Sequence, residues 1–310
     1  MVAPSAPDFC TKVTPECPVE GTIYGYYPSL GANAFFCAFF GIALVAQLIQ
    51  GIRWRTWTFM IALSLGALAE AIGYVGRILM HSNPFSSAGF NIQICCLIIA
   101  PAFISAGIYL TLKHLVYSFG EEFSHIRPDW YTWIFISCDI LSLVLQGAGG
   151  GTAASAAHGS NAINIGSDLM LAGIIFQVVV LAIFGFFLTE YLVRVYCNRS
   201  RLSASATALG HDLKFQLFLT GVVVAYITIL TRCIYRIPEM SGGWRNDIMR
   251  NETEFIVLDG VMITIATAAL TIFHPGYCFP ALSNTMGSKR PTPAKSVSDD
   301  SFGKEQVMAV

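Results

Sequence analysis

A glutamate, two aspartates and an arginine lie inside long apolar runs of this sequence. They are Glu70, Asp139, Arg232 and Asp259. A charged side chain near the centre of a bilayer costs about 2.5 kcal/mol or more, so it normally faces a partner or a wet cavity. A buried carboxylate can pair with an ammonium group, and a guanidinium can receive a phosphate or a carboxylate. These four residues are therefore the first candidates for a binding site.

Further polar residues share a helical face with them. A spacing of seven residues puts Glu70 and Arg77 on one face of a helix, with Tyr74 between them. Asp139 and Gln146 have the same spacing in another run. The full set of predicted substrate-binding or network residues is Glu70, Tyr74, Arg77, Gln93, Asp139, Gln146, Gln177, Arg232, Arg236, Glu239, Glu254 and Asp259.

Two arginines, Arg232 and Arg236, are four residues apart and repel each other unless acids neutralise them. Two interpretations follow. The charges line a chamber that takes a ligand, or they form an ion-pair network that only locks helices together. The candidate acidic partners are Glu70, Asp139, Glu239, Glu254 and Asp259.

Seven apolar runs carry these side chains, and each is near the roughly 20 residues that cross a bilayer as a helix. The chain has 310 residues, of which 55% are hydrophobic and 12% are charged, and its mean hydropathy is +0.61. A soluble domain has about 25% charged residues. The sequence predicts an all-α integral membrane protein, a seven-transmembrane helix bundle. The runs are 28–51, 57–80, 92–116, 130–149, 167–192, 213–235 and 255–277.

Composition and motifs exclude several classes of function. The net charge of −1 argues against nucleic acid as a partner. The sequence has no GxxxxGK[ST] loop for nucleotide phosphates, so an ATP-driven pump contained in this chain is not expected. The short connections leave no room for a soluble catalytic domain. We therefore expect neither an enzyme nor a cofactor.

Lysine and arginine concentrate in the connections after the first, third and fifth runs and in the C-terminal tail. The positive-inside rule places these parts in the cytosol. We therefore expect the N-terminus outside and the C-terminus in the cytosol. The predicted divisions are an extracellular segment at 1–27, the seven-helix domain at 28–280 and a disordered cytosolic tail at 281–310.

The outer side would then carry two sites of covalent modification. Cys10 and Cys17 would lie in an oxidising compartment, either as a disulfide or as two free thiols. Asn251 begins a glycosylation sequon that lies close to the seventh run. The same side includes the small-residue connection 147–160, in which Gly147 and Gly151 have the spacing of close helix packing. An unwound helix end and a flexible loop are the alternatives there.

Several motifs together resemble the fungal RTA1-like family of seven-span membrane proteins over roughly residues 25–285. The text EAIGYVGR at 70–77 carries part of this resemblance, as do Gln93 and the Ala100-Pro101 pair in the third run. Asp139, Gln146 and Gly147 carry it in the fourth. The densest block is Arg232-x-x-x-Arg236-x-x-Glu239, followed by Gly242, Gly243, Glu254, Asp259 and His274-Pro275-Gly276.

The resemblance implies a lipid-translocating exporter linked to stress and drug resistance. Members are associated with sphingoid long-chain bases, with an aminosterol and, in one branch, with porphyrins. The expected partners are a lipid or amphiphilic small molecule and the membrane, which is the plasma membrane or an endomembrane. Glu70, Asp139 or Asp259 could pair with the ammonium of such a ligand. The oligomeric state stays open.

Two other functions are alternatives. An outside N-terminus and seven spans also suit a receptor or sensor of amphiphilic ligands. An intramembrane lipid hydrolase would need a zinc ion with three or four converging ligands. The six histidines contain no HxxxH or HExxH spacing, and we expect no metal site.

Overall fold

The computed structural model describes residues 10–120, 122, 124, 127–155, 161–199, 202, 204–243 and 246–278. Within these residues the chain is helical and has no strand, apart from an isolated bridge between Thr14 and Cys17. The predicted tail at 281–310 and the first nine residues of the predicted N-terminal segment lie outside the described residues.

Seven helical spans in the described residues are long and apolar enough to cross a membrane, which confirms the predicted seven-span, all-α class. The seventh span, Glu252–Cys278, is built from four consecutive segments. The helices are α1 (Leu30–Trp54), α2 (Trp57–Ser82), α3 (Ser87–Phe119), α4 (Pro128–Ser155), α5 (Asn161–Cys197), the short α6 (Ala204–His211), α7 (Leu213–Ser241) and, in the seventh span, α8 (Glu252–Glu254), a π-helical turn (Phe255–Val261), α9 (Met262–Ile272) and α10 (Pro275–Cys278).

The spans form a ring in chain order. Each spanning helix packs against the next along the chain, and α9 returns to α1, while α3 also contacts α7 across the bundle. Large apolar side chains face outward: Trp133 is 75% exposed and Phe186 67%. Arg232, by contrast, is 0% exposed. Apolar groups outside and charges inside are what a hydrocarbon solvent requires.

Helices α4 and α5 approach closely through small residues. A Cβ on Gly149 would lie 2.5 Å from the backbone nitrogen of Met170 and 2.6 Å from the carbonyl oxygen of Gly166. Gly147 and Gly151 have the spacing of such a contact but do not make it, because a Cβ at either position would meet nothing within 4 Å. The contact uses the buried glycine between them, and α4 stays helical to Ser155.

Residues 10–29, which we call the N-terminal segment, pack on one end of the bundle. A disulfide joins Cys10 and Cys17 within this segment. The side chain of Asn83, at the end of α2, donates to the carbonyl oxygen of Thr11 at 3.0 Å. Arg250, just before the seventh span, donates to the carbonyl oxygen of Glu20 at 2.9 Å. We call this end of the bundle the capped end.

Candidate functional site

Arg232 of α7 lies at the centre of a buried charge network. Its Nε donates to Asp259 Oδ1 at 2.8 Å, and its Nη1 donates to Glu70 Oε1. All three side chains are 0% exposed. One guanidinium thus joins α2, α7 and the seventh span.

A proline in α3 leaves a backbone carbonyl free to accept a hydrogen bond from Arg232. Pro101 has no N–H, so the carbonyl of Leu97, four residues earlier, has no intrahelical partner. Arg232 Nη2 donates to this carbonyl oxygen at 3.0 Å. The Ala100-Pro101 motif therefore supplies a backbone acceptor to the network, and a fourth helix joins it.

Arg236, one turn further along α7, adds a second cation to the network. Its Nη1 donates to Glu239 Oε2 at 2.9 Å, and its Nη2 lies 2.7 Å from Asp259 Oδ1 as an ion pair without hydrogen-bond angles. Arg232 and Arg236 together therefore face Glu70, Glu239 and Asp259. Neighbouring arginines are tolerated here because Asp259 bridges them.

The π-helical turn positions Asp259. Such a turn inserts one extra residue into a helix and redirects its side chains, and it is common at functional sites. Gly260 follows Asp259 inside the turn, and a Cβ there would lie 2.6 Å from the ring of Phe36 and 3.0 Å from the hydroxyl of Tyr74. Glycine at this position lets the seventh span approach α1 and α2. Tyr74 is fully buried beside the network and stacks on Phe40.

Arg77 forms a second cluster, nearer the capped end. Its Nε donates to Asn33 Oδ1 at 3.0 Å, and its Nη2 donates to the hydroxyl of Tyr26 at 3.2 Å and to Glu252 Oε1 at 3.4 Å. The guanidinium also stands 4.0 Å from the centroid of the Phe255 ring. Arg236 lies 5.7 Å from the same centroid, so Phe255 connects the two clusters.

The N-terminal segment supplies two tyrosines to this second cluster. Burial raises the pKa of the Tyr24 and Tyr26 phenols, and the nearby charge of Arg77 opposes that rise. Both phenols therefore stay neutral and act as hydrogen-bonding groups. Gln93 Nε2 donates to the Tyr24 hydroxyl at 2.8 Å. The segment thus reaches into the bundle and covers the charges.

A small cavity lies beside the central network, between α3, α4, α5 and α7. Its volume is about 20 Å³, which is room for one or two water molecules. Gln146 donates to Gln177 Oε1 across the cavity at 3.2 Å. The guanidinium-bearing residues Arg232 and Arg236 line the same cavity, together with Pro101.

Asp139 stands apart from the arginines. It is 4% exposed on α4, and neither carboxyl oxygen has a partner with hydrogen-bond geometry. The Tyr109 hydroxyl of α3 is close enough to interact with it, but without such geometry. Asp139 was a predicted partner of the two arginines, but it pairs with neither of them.

Glu254 does not join the network either, and its assignment to it is corrected. Its side chain is exposed and bonds Asn251, which caps α8. Glu252, two residues earlier, faces the bundle instead, because a helix turns these two side chains to different sides. Glu252 Oε1 also accepts from the backbone N–H of Ser29 at 2.6 Å.

The described residues contain no group of three His, Cys, Asp or Glu side chains that could hold a metal ion. His274 instead packs between Trp54 and Phe59, and its Nδ1 accepts from the backbone N–H of Gly276 at 3.1 Å. His274 lies between α9 and α10 near the end of the seventh span, and Pro275 begins α10.

Comparison with known proteins places this arrangement in a family. Residues 63–282 match the family described as "RTA1 like protein". The chain belongs to the RTA1-like family. The match includes α2, α3, α7 and the seventh span, which carry the central network, and it identifies an integral membrane protein with seven helical spans.

Named relatives come from Saccharomyces cerevisiae. Sphingoid long-chain base transporter RSB1 is 34% identical over 289 residues, which cover 84% of this chain and 75% of that protein. Protoporphyrin uptake protein 1 is 30% identical over 208 residues, 67% of this chain and 65% of that protein. Protein RTM1 is 29% identical over 221 residues, 70% of this chain and 67% of that protein. No solved structure matches the chain.

Four contributors to the site were not predicted from the sequence. Tyr24 and Tyr26 lie in a polar segment that has no periodic pattern, and Asn33 is a single polar residue in an apolar run. Glu254 was predicted to belong to the network, and Glu252 was not. A signal for Glu252 exists, because it is seven residues from Asp259 and thus on the same helical face.

Proposed function

We propose that this protein moves amphiphilic lipids of the sphingoid long-chain base class across a membrane, without ATP and without enzymatic chemistry on them. The observation that carries the proposal is the 34% identity, over 84% of the chain, to a named sphingoid long-chain base transporter. The buried polar groups support the proposal, since a protein that carries lipids with one acyl-like chain needs a place for the charged head group inside the hydrocarbon.

The head group would occupy the cavity between α3, α4, α5 and α7. Gln146 and Gln177 offer amide groups to the hydroxyls of a long-chain base there. Asp139 lies outside the cavity, two helical turns along the same face of α4, and would meet the ammonium only when the head group moves further along that face. The apolar tail would lie against the outward-facing side chains of these helices. With room for one or two waters, the cavity must widen to admit a head group, so the structure corresponds to a closed state.

In this proposal the arginine network is the rigid part of the site and does not bind the lipid. Each acid of the network already has an arginine partner, so an incoming ammonium would have to displace Arg232 or Arg236. Breaking a buried ion pair costs about 3–5 kcal/mol. The network therefore holds α2, α3, α7 and the seventh span together while the helices on the other side of the cavity move.

We further propose that the capped end faces the outside of the plasma membrane. The excess of lysine and arginine at the opposite end supports this orientation. The disulfide of Cys10 and Cys17 supports it as well, since disulfides persist in oxidising compartments. Asn251 would then carry a glycan on the outer side. Tolerance of cells to membrane-active amphiphiles is the expected physiological readout.

Transfer of a fluorescent long-chain base between the leaflets of protein-containing liposomes tests the proposal. We expect the wild type to accelerate transfer without ATP. Gln146→Leu removes the amide pair from the cavity wall and should slow transfer about tenfold, which corresponds to roughly 1.4 kcal/mol. Gln47→Leu is the matched control, because Gln47 is equally buried but bonds Thr271 on the far side of the bundle.

The same assay separates transport from the alternatives. Equal transfer by wild type and by empty liposomes contradicts the proposal. Saturable binding of the long-chain base without transfer would instead support a sensor. A Gln47→Leu variant as slow as Gln146→Leu would assign the loss to general destabilisation and not to the cavity.

A further inference from the structure

We propose that Asp139 is a proton-binding site, and that its carboxyl exchanges a proton for the cationic head group of the transported lipid. The exchange with lipid rests on the proposed function, whereas the proton site stands on the structure alone. The consequence is a lipid carrier driven by a pH gradient and indifferent to membrane voltage.

The contrast between Asp139 and the other buried acids is the main observation. Glu70, Glu239 and Asp259 each contact an arginine. Asp139 is also buried, at 4% exposure, yet no cation reaches it, and the one hydroxyl beside it, that of Tyr109, lacks hydrogen-bond geometry. A carboxylate that is buried without a cationic partner is so costly that the group takes up a proton instead.

The neighbours of Asp139 supply no compensating cation. From α3 it is faced by the neutral phenol of Tyr109, and from α7 by the thiol of Cys233. On its own helix Cys138 is adjacent. Arg232, next to Cys233 in sequence, is directed to Glu70 and Asp259. The charged residues of α5 lie towards its two ends, and they are Asp168, Glu190 and Arg194.

A polar route leads from Asp139 to the cavity. Ser142 and Gln146 follow on the same face of α4, and both are buried. Gln146 reaches the cavity, where one or two waters fit beside Gln177. A proton that leaves Asp139 therefore has hydroxyl, amide and water groups in sequence towards the capped end.

The exchange is balanced in atoms and charge. The O–H bond of the protonated carboxyl breaks, and the proton passes to water in the cavity. The carboxylate that remains pairs with the ammonium of the lipid. One cation enters as another leaves, so no net charge crosses the membrane. Return of a proton from the opposite side would release the lipid and restore the closed state.

Infrared difference spectroscopy of the protein in lipid tests the proton site without any substrate. At neutral pH the wild type should show the carbonyl stretch of a protonated carboxyl, shifted in heavy water. This band should lose intensity in Asp139→Asn and keep it in Asp168→Asn, the matched control near the start of α5. A band of equal intensity in Asp139→Asn and the wild type, or no band in the wild type, overturns the proton site.

Liposome transport tests the exchange. At equilibrium a gradient of one pH unit should concentrate a labelled N-trimethyl long-chain base, whose fixed charge keeps it from following the gradient through lipid unaided, about tenfold in the wild type. A potassium diffusion potential should leave the distribution unchanged. In Asp139→Asn the response to the pH gradient should vanish, while Asp139→Glu should keep it.

The outcomes are distinct. An Asp139→Asn variant with the wild-type response to pH overturns the exchange, as does a wild type that responds to voltage. A wild type that moves no long-chain base contradicts the proposed function and the exchange with lipid. The infrared measurement then still decides whether Asp139 holds a proton.

Discussion

At the scale of single residues, the network depends on Arg232 and on the acids that surround it. A guanidinium has five N–H donors in a fixed plane, and Arg232 directs them to Glu70, Asp259 and the Leu97 carbonyl. Lysine could not replace this pattern, because its ammonium is a point charge on a flexible chain.

Asp259→Asn should be the most damaging single change in the network. It leaves Arg232 and Arg236 buried without the carboxylate that they share. Loss of one partner of a buried pair costs about 3–5 kcal/mol, so thermal unfolding in detergent should occur at a clearly lower temperature.

Glu190→Gln is the matched control for this change. It breaks the partly exposed pair of Glu190 with Arg194, four residues away on α5. Such a pair contributes only about 0.3–0.5 kcal/mol, so the unfolding temperature should hardly move. Similar shifts in the two variants would contradict a stabilising role for the network.

The sequence predicted the members of the network better than their partners. Charges inside apolar runs are visible in the sequence, and family motifs fall on the same positions. The choice of Glu70 over Asp139 as a partner of Arg232 depends on which helices are neighbours, and helical spacing within one run contains no such information.

At the scale of helices, the close packing of α4 on α5 gives two glycines of α4 different surroundings. Gly149 faces backbone atoms of α5 that cannot move aside, whereas Gly147 is exposed. Gly149→Ala should therefore destabilise the protein by about 1–3 kcal/mol through overpacking. Gly147→Ala should be neutral or stabilise it by up to about 1 kcal/mol, because alanine favours the helix.

Thermal unfolding of the two alanine variants side by side checks this expectation. Both changes add the same methyl group to the same helix, two residues apart, so differences in helix propensity cancel. Equal unfolding temperatures would mean that α4 and α5 are not in the close contact described above.

The number of spans was predictable because length and hydropathy alone define a crossing helix. The π-helical turn at Phe255–Val261 was not, since it depends on packing against Phe36 and Tyr74 and not on a local pattern. Pro101 did leave a signal. A proline inside an apolar run always frees a carbonyl four residues earlier, which predicts an acceptor at Leu97.

At the scale of the whole molecule, the N-terminal segment and the distribution of cationic residues together predict an orientation. If the capped end faces outward, a membrane-impermeant reductant added to intact cells should open the disulfide of Cys10 and Cys17. Two new thiols per chain should then react with an impermeant maleimide, detected as a shift in mass.

The double variant Cys10→Ser, Cys17→Ser is the control for this labelling, and it should show no gain after reduction. Thiols that appear only after the cells are permeabilised would place the segment in the cytosol. The proposed orientation, and with it the direction of the proton route, would then be reversed.

The pairing of distant parts of the chain also determines when the protein can be completed during synthesis. Arg232 lies 162 residues after Glu70, and Glu252 lies 223 residues after Ser29. While the ribosome works through that interval, Glu70 is already in the membrane and its cation has not been made. Glu70 can therefore meet its cation only after the sixth span has been made, and Ser29 can meet Glu252 only at the start of the seventh. A chain cut short before Glu252 lacks the carboxylate that accepts from the Ser29 N–H and from Arg77, so its capped end stays incomplete.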